Sequence, residues 1–176
     1  MMKYINYRDE QIKQKGSPDI ITIIQKQPQT IEKYLNWCRL IKILPYGGKN
    51  GNPLKQNKGI GKILSGYRDH ILEGGAKDSP HFYCIAIDVF IPFWNSKKIL
   101  IQNVYDYTKK AFEAGFLRVG LYPSKNMCHF DLANSEWCSK RNAFSHCWVQ
   151  KKNLEYLGFQ QLFLAWNFIL ENQNLF

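Results

Sequence analysis

Apolar residues recur at helical spacing in the first third of the chain. They follow Thr30, a side chain suited to a helix N-cap, and predict a helix over residues 31–43 that ends before Pro45. The residues sharing the apolar face are Ile31, Tyr34, Leu35, Cys38 and Ile41. The next segment is rich in glycine and asparagine and predicts a long loop that carries Lys49, Lys55, Lys58 and Lys62.

The middle of the chain has the pattern of a buried strand. Residues 82–90 are dense in β-branched and aromatic side chains, which predicts a central strand with both faces covered. Because side chains alternate between the two faces of a strand, Ala86 and Asp88 point to the same face. A carboxylate in this setting requires a partner or a function.

Two shorter strands are predicted over residues 117–122 and 127–132. The turn residues at 123–126 between them indicate a hairpin. On the second strand His129 and Asp131 are two residues apart, so their side chains share a face.

Two further helices are predicted in the second half of the chain. Residues 97–114 carry an apolar stripe, and Gly115 supplies the stop signal. The apolar tail Leu154–Leu170 predicts a C-terminal helix, over about residues 160–171, that closes the core. A helix that binds a partner through this surface is the alternative.

Together these elements predict an α+β fold with a small, mostly antiparallel central sheet flanked by helices. A chain of 176 residues fits one domain with a sizeable core. Within it we expect residues 1–29 to form an N-terminal arm, residues 30–137 the core, and residues 138–176 a closing segment.

Composition and charge narrow the function classes. Hydrophobic residues make up 45% of the chain and aromatic residues 15%, which excludes intrinsic disorder. The net charge of +10 indicates a polyanionic partner, such as nucleic acid, an acidic membrane surface or an anionic cell-wall polymer. No apolar stretch has the length of a signal peptide or a membrane span, so we expect synthesis in the cytoplasm and no membrane insertion.

The cysteines argue against two common stabilising devices. Five are present and none form a C-x-x-C pair, which excludes a complete disulfide framework and a four-thiolate zinc site. We expect them to be buried, reduced thiols.

Three potential metal ligands lie in the strand-rich part of the chain: His81, Asp88 and His129. Imidazole nitrogen and carboxylate oxygen suit Zn²⁺, and three protein ligands leave one tetrahedral position open, as in catalytic zinc sites. Taken singly, each is more often an ordinary polar side chain. The case for a site therefore depends on the longer pattern around them.

That longer pattern resembles the zinc D-Ala-D-Ala carboxypeptidase family. The matching segments are S-G-Y-R at residues 65–68, G-G-A at 74–76 and S-P-H-F-Y-C-I-A-I-D at 79–88, which is similar to the motif S-x-H-x-x-G-x-A-x-D. G-L-Y-P at 120–123, H-F-D at 129–131 and Trp137 resemble the small phage-like branch. The family includes cell-wall DD-carboxypeptidases, vancomycin-resistance dipeptidases and phage L-alanyl-D-glutamate endopeptidases, and it shares its fold with lysostaphin-type enzymes and hedgehog domains.

The resemblance implies a hedgehog/DD-peptidase-like fold and a zinc-dependent peptidase that hydrolyses peptidoglycan stem peptides. The cleavage would be of the D-Ala-D-Ala carboxypeptidase or the L-Ala-D-Glu endopeptidase type, as in a phage-like endolysin that reaches the cell wall after lysis or export. One Zn²⁺ per chain would bind His81, Asp88 and His129. Arg68 would stabilise the oxyanion, and the residues implied to contact substrate are Ser65, Tyr67 and Ser79.

Two positions depart from the family pattern. Cys84 stands where the motif has glycine, and Asn126 stands where many members carry the carboxylate that acts as general base. Asp131 is the nearest alternative, and we predict it as the catalytic carboxylate that reaches the zinc-bound water; from the same strand face it could instead hold the ring of His129. Glu136 and His146 are weaker candidates.

Two other functions compete with this interpretation. A basic nucleic-acid-binding domain would explain the charge and the aromatic residues, with lysines on phosphates and rings stacked on bases. It would leave the ordered His81, Asp88, His129 and Arg68 pattern as coincidence. A catalytically silent, zinc-binding member of the same fold is the second alternative.

Overall fold

A six-stranded mixed sheet forms the centre of the computed structural model, which describes residues 20–43, 60–68, 78–95, 97, 100–101 and 103–176. The strands lie in the order β1-β2-β4-β3-β5-β6, and neighbours are antiparallel except for the parallel pair β3 and β5. Their bounds are β1 (Ile63–Ser65), β2 (Ala86–Phe90), β3 (Arg118–Tyr122), β4 (Met127–Asp131), β5 (Cys147–Gln150) and β6 (Tyr156–Phe159).

Helices flank this sheet, so the predicted α+β architecture is confirmed. The α-helices are α1 (Ile20–Lys26), α2 (Pro28–Leu40), α3 (Asn103–Glu113), α4 (Ser135–Lys140) and α5 (Leu162–Glu171). Three short 3₁₀-helices cover Pro80–Tyr83, Pro123–Lys125 and Gln173–Leu175. Within the described residues, no helix is both long and apolar enough to span a membrane. The predicted G-G-A segment, the loop lysines 49, 55 and 58, and residues 1–19 of the predicted arm lie outside these residues.

The period-2 alternation of the strands gives the sheet two different faces. One face packs on α2, α3 and α5 and consists of fully buried apolar side chains: Ile87, Val89, Val119, Leu121, Cys128, Phe130, Cys147 and Val149. The opposite face carries polar and aromatic side chains: Asp88, Arg118, Tyr122, His129, Asp131, Trp148 and Gln150. Below we call these the apolar face and the polar face.

The central strand is shorter than the pattern predicts. Its first half forms the 3₁₀-helix Pro80–Tyr83 instead, and β2 begins at Ala86. Ser79 caps this helix by accepting a hydrogen bond from the backbone of His81, and Cys84 ends it in the left-handed conformation with φ of 59°. The β-branched and aromatic residues of this segment do not form a strand, because the Ser79 cap and the left-handed Cys84 interrupt the extended backbone. The motif glycine that Cys84 replaces therefore lies where glycine is favoured.

The first predicted helix is displaced towards the N-terminus. It runs over Pro28–Leu40, and Thr30 is an internal residue rather than the N-cap. Proline is favoured in the first turn because its missing N–H would have no partner there. The hydroxyl of Thr30 instead donates to the carbonyl of Cys84 at 2.9 Å, which ties α2 to the end of the 3₁₀-helix.

Two other predicted helices also need adjustment. The helix predicted over residues 97–114 begins only at Asn103, because Trp94 and Leu100 pair in an isolated β-bridge before it. The apolar tail includes β6 in addition to α5, since its first residues pair with β5. The predicted hairpin is confirmed as β3 and β4, joined by the short 3₁₀-helix and by Asn126 with φ of 49°.

All five cysteines are buried and none forms a disulfide, as the composition predicts. Burial raises the pKa of Cys38 and of Cys147 to about 12, so these thiols stay protonated at neutral pH. They contribute to packing as small hydrophobic side chains.

Candidate metal centre

The three predicted ligands converge on the polar face of the sheet. His81, Asp88 and His129 each offer one ligand atom, and these atoms lie within 4.8 Å of one another. The Nδ1 atom of His129 is 2.8 Å from Oδ1 of Asp88, and the Nε2 atom of His81 is 3.2 Å from that Nδ1 and 3.3 Å from that Oδ1. The three side chains form a compact triangle that could hold a metal ion.

Strand register positions two of the ligands. Asp88 on β2 lies directly opposite His129 on β4, so neighbouring strands present both side chains to the same point. The third ligand comes from the 3₁₀-helix before β2. His81 is fixed there because its Nδ1–H donates to the carbonyl of Gly66 at 2.5 Å, which leaves the lone pair of Nε2 directed at the other two ligands.

Burial isolates the triangle from bulk water. The exposed fraction of the residue is 1% for His81, 6% for Asp88 and 5% for His129. Buried imidazole and carboxylate groups are costly to desolvate unless they pair or bind a metal. The donor set therefore meets the basic requirement of a metal site, and the pairing among the three residues stabilises it in the metal-free protein.

Two carboxylates, Asp88 and Asp131, contact the ring of His129 and change its protonation. Burial alone would lower the pKa of His129, but its hydrogen bonds to Asp131 and Asp88 raise that pKa to about 9. Burial alone would raise the pKa of Asp88, but the charges and hydrogen bonds of His81 and His129 lower it well below its usual range. In the metal-free protein the triangle thus holds a proton that a cation must displace.

Asp131 supports a ligand instead of facing the open site. Its Oδ2 atom accepts the Nε2–H of His129 at 2.8 Å, and its Oδ1 atom accepts the backbone N–H of Ala133 at 2.9 Å. The residue is fully buried. Of the two roles that the sequence left open for Asp131, this geometry favours holding the histidine ring over acting as a base.

Arg118 is a site residue that the sequence reasoning missed. Its Nε and Nη2 atoms donate to both oxygens of Asp131, at 2.8 and 2.7 Å. The predicted hairpin contains the signal that could have identified it, because residues 118 and 131 face each other when strands 117–122 and 127–132 pair across the turn.

Trp148 forms the wall beside His129 and was also missed. Its ring centroid is 5.3 Å from that of His129, and its Nε1–H donates to the hydroxyl of Tyr122 at 3.1 Å. Glycine is required on the neighbouring strand, since a Cβ atom on Gly120 would lie 2.6 Å from the Trp148 ring. β5 is too short for its pattern alone to predict this placement.

A pocket of about 760 Å³ opens over the triangle. Arg118, which holds Asp131, is one of the cations on its wall. The others among the described residues are Arg68, Lys125 and Arg141. The Nη2 atom of Arg68 lies 3.8 Å from Oδ2 of Asp88, and its buried Nε has no hydrogen-bond partner among the described residues. Arg68 therefore lies next to the ligands with a donor available.

Of the three residues predicted to contact substrate, one lines the pocket and two do not. Ser79 lines the pocket and caps the 3₁₀-helix that carries His81. Ser65 pairs with Asp88 across β1 and β2, and the ring of Tyr67 lies beneath the amine of Lys26 and packs against the core. Neither Ser65 nor Tyr67 is among the described residues that line the pocket.

Asn126, which stands where the family has its general base, and the weaker candidates Glu136 and His146 do not line the pocket. Asn126 occupies the hairpin turn, and its side chain accepts the backbone N–H of Phe93 at 2.9 Å. Glu136 is exposed and pairs with Lys140, while His146 stacks on the ring of Phe112. Among the described residues that line the pocket, the carboxylates are Asp78 and Asp88.

Both pocket carboxylates are already engaged. Asp88 belongs to the ligand triangle. Asp78 accepts hydrogen bonds from the hydroxyl of Tyr83 and from the guanidinium of Arg141, and these partners lower its pKa.

Comparisons of the chain with protein-family models, with curated proteins and with solved structures gave no match.

Proposed function

We propose that this chain is a zinc-dependent peptidase of the hedgehog/DD-peptidase-like fold that hydrolyses peptidoglycan stem peptides. The observation that carries the proposal is the buried His81, Asp88 and His129 triangle at the base of an open pocket, with Arg68 beside it. These are the same four residues that the resemblance to the zinc D-Ala-D-Ala carboxypeptidase family assigns to metal and oxyanion.

The donor set favours zinc over harder cations. Two imidazoles and one carboxylate suit Zn²⁺, whereas Mg²⁺ and Ca²⁺ prefer oxygen ligands. Donor atoms on a tetrahedral ion with bonds of about 2.0–2.1 Å are separated by about 3.3 Å. The separations of 2.8, 3.2 and 3.3 Å in the triangle are close to this value. When bound, zinc supplies a Lewis acid and lowers the pKa of a coordinated water to about 7.

Arg68 is suited to stabilise the oxyanion. Arginine carries a permanent charge and a planar set of donors that suits an oxyanion. The Nη2 atom of Arg68 lies 3.8 Å from Oδ2 of Asp88, so the guanidinium would stand beside a carbonyl held at the metal.

Two tyrosine hydroxyls on the pocket wall can donate hydrogen bonds to a substrate. The hydroxyl of Tyr122 accepts from Trp148, and that of Tyr156 accepts from the side-chain amide of Gln150. Each hydroxyl therefore has its own proton to donate to the substrate. Burial raises the pKa of Tyr122 well above its usual range, which keeps it protonated as a donor.

An anionic peptide fits the charge of the pocket. Arg68, Lys125 and Arg141 lie on its wall and outnumber the two wall carboxylates. Stem peptides carry free carboxylates, and positive charge accelerates their encounter with the site. The choice of stem peptides as the substrate class comes from the motif resemblance, and the charge supports it.

Metal content and sacculus digestion test the proposal together. We expect about one zinc per wild-type chain by elemental analysis, after purification without chelators or metal-affinity resin. We expect no zinc in His81→Ala or His129→Ala. His146→Ala is the matched control, because this histidine lies outside the pocket and should leave the zinc content unchanged.

Hydrolysis is measured as new amino termini released from purified sacculi, and mass spectrometry of the released peptides identifies the bond. Release that is lost in His81→Ala and kept in His146→Ala is the expected result. A wild-type protein that binds one zinc but leaves sacculi intact would contradict the peptidase and support the silent zinc-binding domain. A chain that does not bind supplied zinc, and that shifts oligonucleotides in a salt-dependent way, would support the nucleic-acid-binding alternative.

A further inference from the structure

Among the described arginines and lysines that line the pocket, Arg118 has the most hydrogen-bond partners. Two of its nitrogens hold the carboxylate of Asp131, and Nη1 donates to the carbonyl of Phe144 at 2.7 Å and to the sulfur of Cys138 at 3.3 Å. The residue is 3% exposed. Its side chain is therefore fixed in one orientation by partners on three segments of the chain.

Two tryptophan rings also lie close to the guanidinium. The Arg118 carbon Cζ lies 5.1 Å from the ring centroid of Trp137 and 5.2 Å from that of Trp148. Arginine is suited to this setting because its planar group stacks on aromatic rings while its edge forms hydrogen bonds. Lysine can supply the charge but neither the bidentate contact nor the stack.

By fixing Asp131, Arg118 also fixes the ring of the ligand His129. Asp131 has one oxygen on Ala133 and Arg118, and the other on His129 and Arg118, so its carboxylate plane cannot turn. The ring of His129 then donates through Nε2, and Nδ1 remains as the atom that faces Asp88 and His81. A histidine ligand needs this outer hydrogen bond to select its tautomer.

We infer that Arg118 is a positioning residue of the metal centre: acting only through Asp131, it holds His129 with Nδ1 directed at the metal. The inference rests on the zinc-binding part of the proposed function and is independent of the peptidase reaction. It also explains how two buried charges outside the ligand triangle are tolerated, since each neutralises the other in bidentate contact.

The test measures zinc affinity by competition with a chromophoric chelator in four variants. Arg118→Lys keeps the charge, Asp131→Asn removes the carboxylate, and Arg118→Met with Asp131→Asn removes both charges together, so that no unpaired buried charge remains. Arg39→Met is the control, because Arg39 is exposed, donates to Asn36 on α2 and does not line the pocket. Circular dichroism establishes that each variant is folded.

We expect zinc affinity to fall about 10- to 100-fold in Arg118→Lys, in Asp131→Asn and in the double variant, which is typical when the support of a ligand is lost. The double variant should match Asp131→Asn within about threefold, because Arg118 acts through that residue. The control should bind zinc as the wild type does.

A folded Arg118→Lys protein with wild-type zinc affinity would overturn the inference. So would a double variant far weaker than Asp131→Asn, since Arg118 would then act by another route. Should Arg118→Lys fail to fold, Arg118→Gln, which keeps a hydrogen-bond donor to Asp131, takes its place in the same comparison. A wild type that binds zinc without cutting sacculi contradicts only the peptidase, whereas a wild type that binds no zinc contradicts both proposals.

Discussion

Strand β4 contributes to both faces of the sheet, and the two faces are stabilised in different ways. Towards the helices it presents Cys128 and Phe130, which are fully buried among apolar side chains. Towards the pocket it presents His129 and Asp131, which are almost as buried but are held by hydrogen bonds and charge. Alternate residues of one strand are thus stabilised by apolar packing on one side and by hydrogen bonds and charge on the other.

The difference concerns how each face responds to change. Contacts on the apolar face are numerous and weakly directional, so loss of one side chain removes stability roughly in proportion to the area and volume lost. Contacts on the polar face form a chain of hydrogen bonds from Arg118 through Asp131 to His129. Each buried group needs its partner to offset the free-energy cost of leaving water. The first face determines whether the protein folds, and the second determines what it can bind.

The largest effect should follow from removal of a ligand on the polar face. Asp88→Ala takes away the carboxylate of the triangle, and we expect zinc affinity to fall by at least about 1,000-fold, because a two-ligand site binds zinc poorly. The metal-free protein should also lose some stability, because His129 keeps its hydrogen bond to Asp131 but loses its buried partner Asp88. Chelator competition and thermal melts measure the two quantities. Retained stoichiometric zinc would place the metal elsewhere.

On the apolar face, stability should change more than zinc affinity. Phe130 packs against Trp37 and Phe116, with ring centroids 5.2 and 5.4 Å away. Phe130→Ala should lower the free energy of unfolding by about 3–5 kcal/mol, as large core truncations do. Zinc affinity, measured well below the new melting temperature, should stay within about threefold of wild type. A large loss of zinc affinity in the folded variant would show that the two faces are coupled.

A smaller effect should come from overpacking the polar face. In Gly120→Ala the new Cβ would press on Trp148, and the displaced ring would disturb His129. We expect a stability loss of about 1–3 kcal/mol together with weaker zinc binding.

Val119→Ile is the control for this variant, because it overpacks the apolar face of the same strand, on the side away from Trp148. Equal zinc affinity in the two variants would show that Trp148 does not support the site. Denaturant titration and chelator competition provide both readouts.

Zinc binding on the polar face should also depend on pH, without any change of sequence. His129 has its pKa raised to about 9 in the metal-free protein, so zinc must displace a proton from it below that pH. Zinc affinity should therefore rise about tenfold per pH unit between pH 7 and pH 9 and then level off. Isothermal titration in buffers of different ionisation enthalpy should detect about one proton released at pH 7.5.

The metal-free protein should show the opposite trend. A pKa raised above the unfolded value means that the protonated form of His129 stabilises the fold, fully below about pH 6.5. This contribution is lost as the pH rises through about 9. A zinc affinity that does not change across this range would contradict the assignment of Nδ1 of His129 as a ligand atom.

Much of the ligand set was predictable from the sequence, for a simple geometric reason. The alternation of side chains along residues 82–90 and 127–132 places Asp88 on one face of its strand and His129 with Asp131 on one face of theirs. The hairpin between β3 and β4 was predictable from its turn residues. The motif resemblance then suggested which of these side chains belong together, and the structure brings them together.

The local departures from prediction share a physical cause. The 3₁₀-helix at Pro80–Tyr83 replaces the start of a predicted strand because a serine cap and a left-handed Cys84 outweigh β-propensity over four residues. β5 and β6 were not predicted, because strands of four residues carry little periodicity and depend on pairing with β3 and with each other. Short elements are determined by their neighbours more than by their own composition.

The motif resemblance suggested which residues are the candidate ligands. The sequence by itself determined the α+β class and the sides of the strands on which the chemical groups lie. These properties depend on side-chain type and on a local period of two or 3.6 residues. Only the tertiary structure decided that Arg118 and Trp148 support His129 and that Asp131 faces them. Those relations join segments far apart in the chain, because burial makes each polar group depend on whichever partner the folded sheet brings within hydrogen-bond distance.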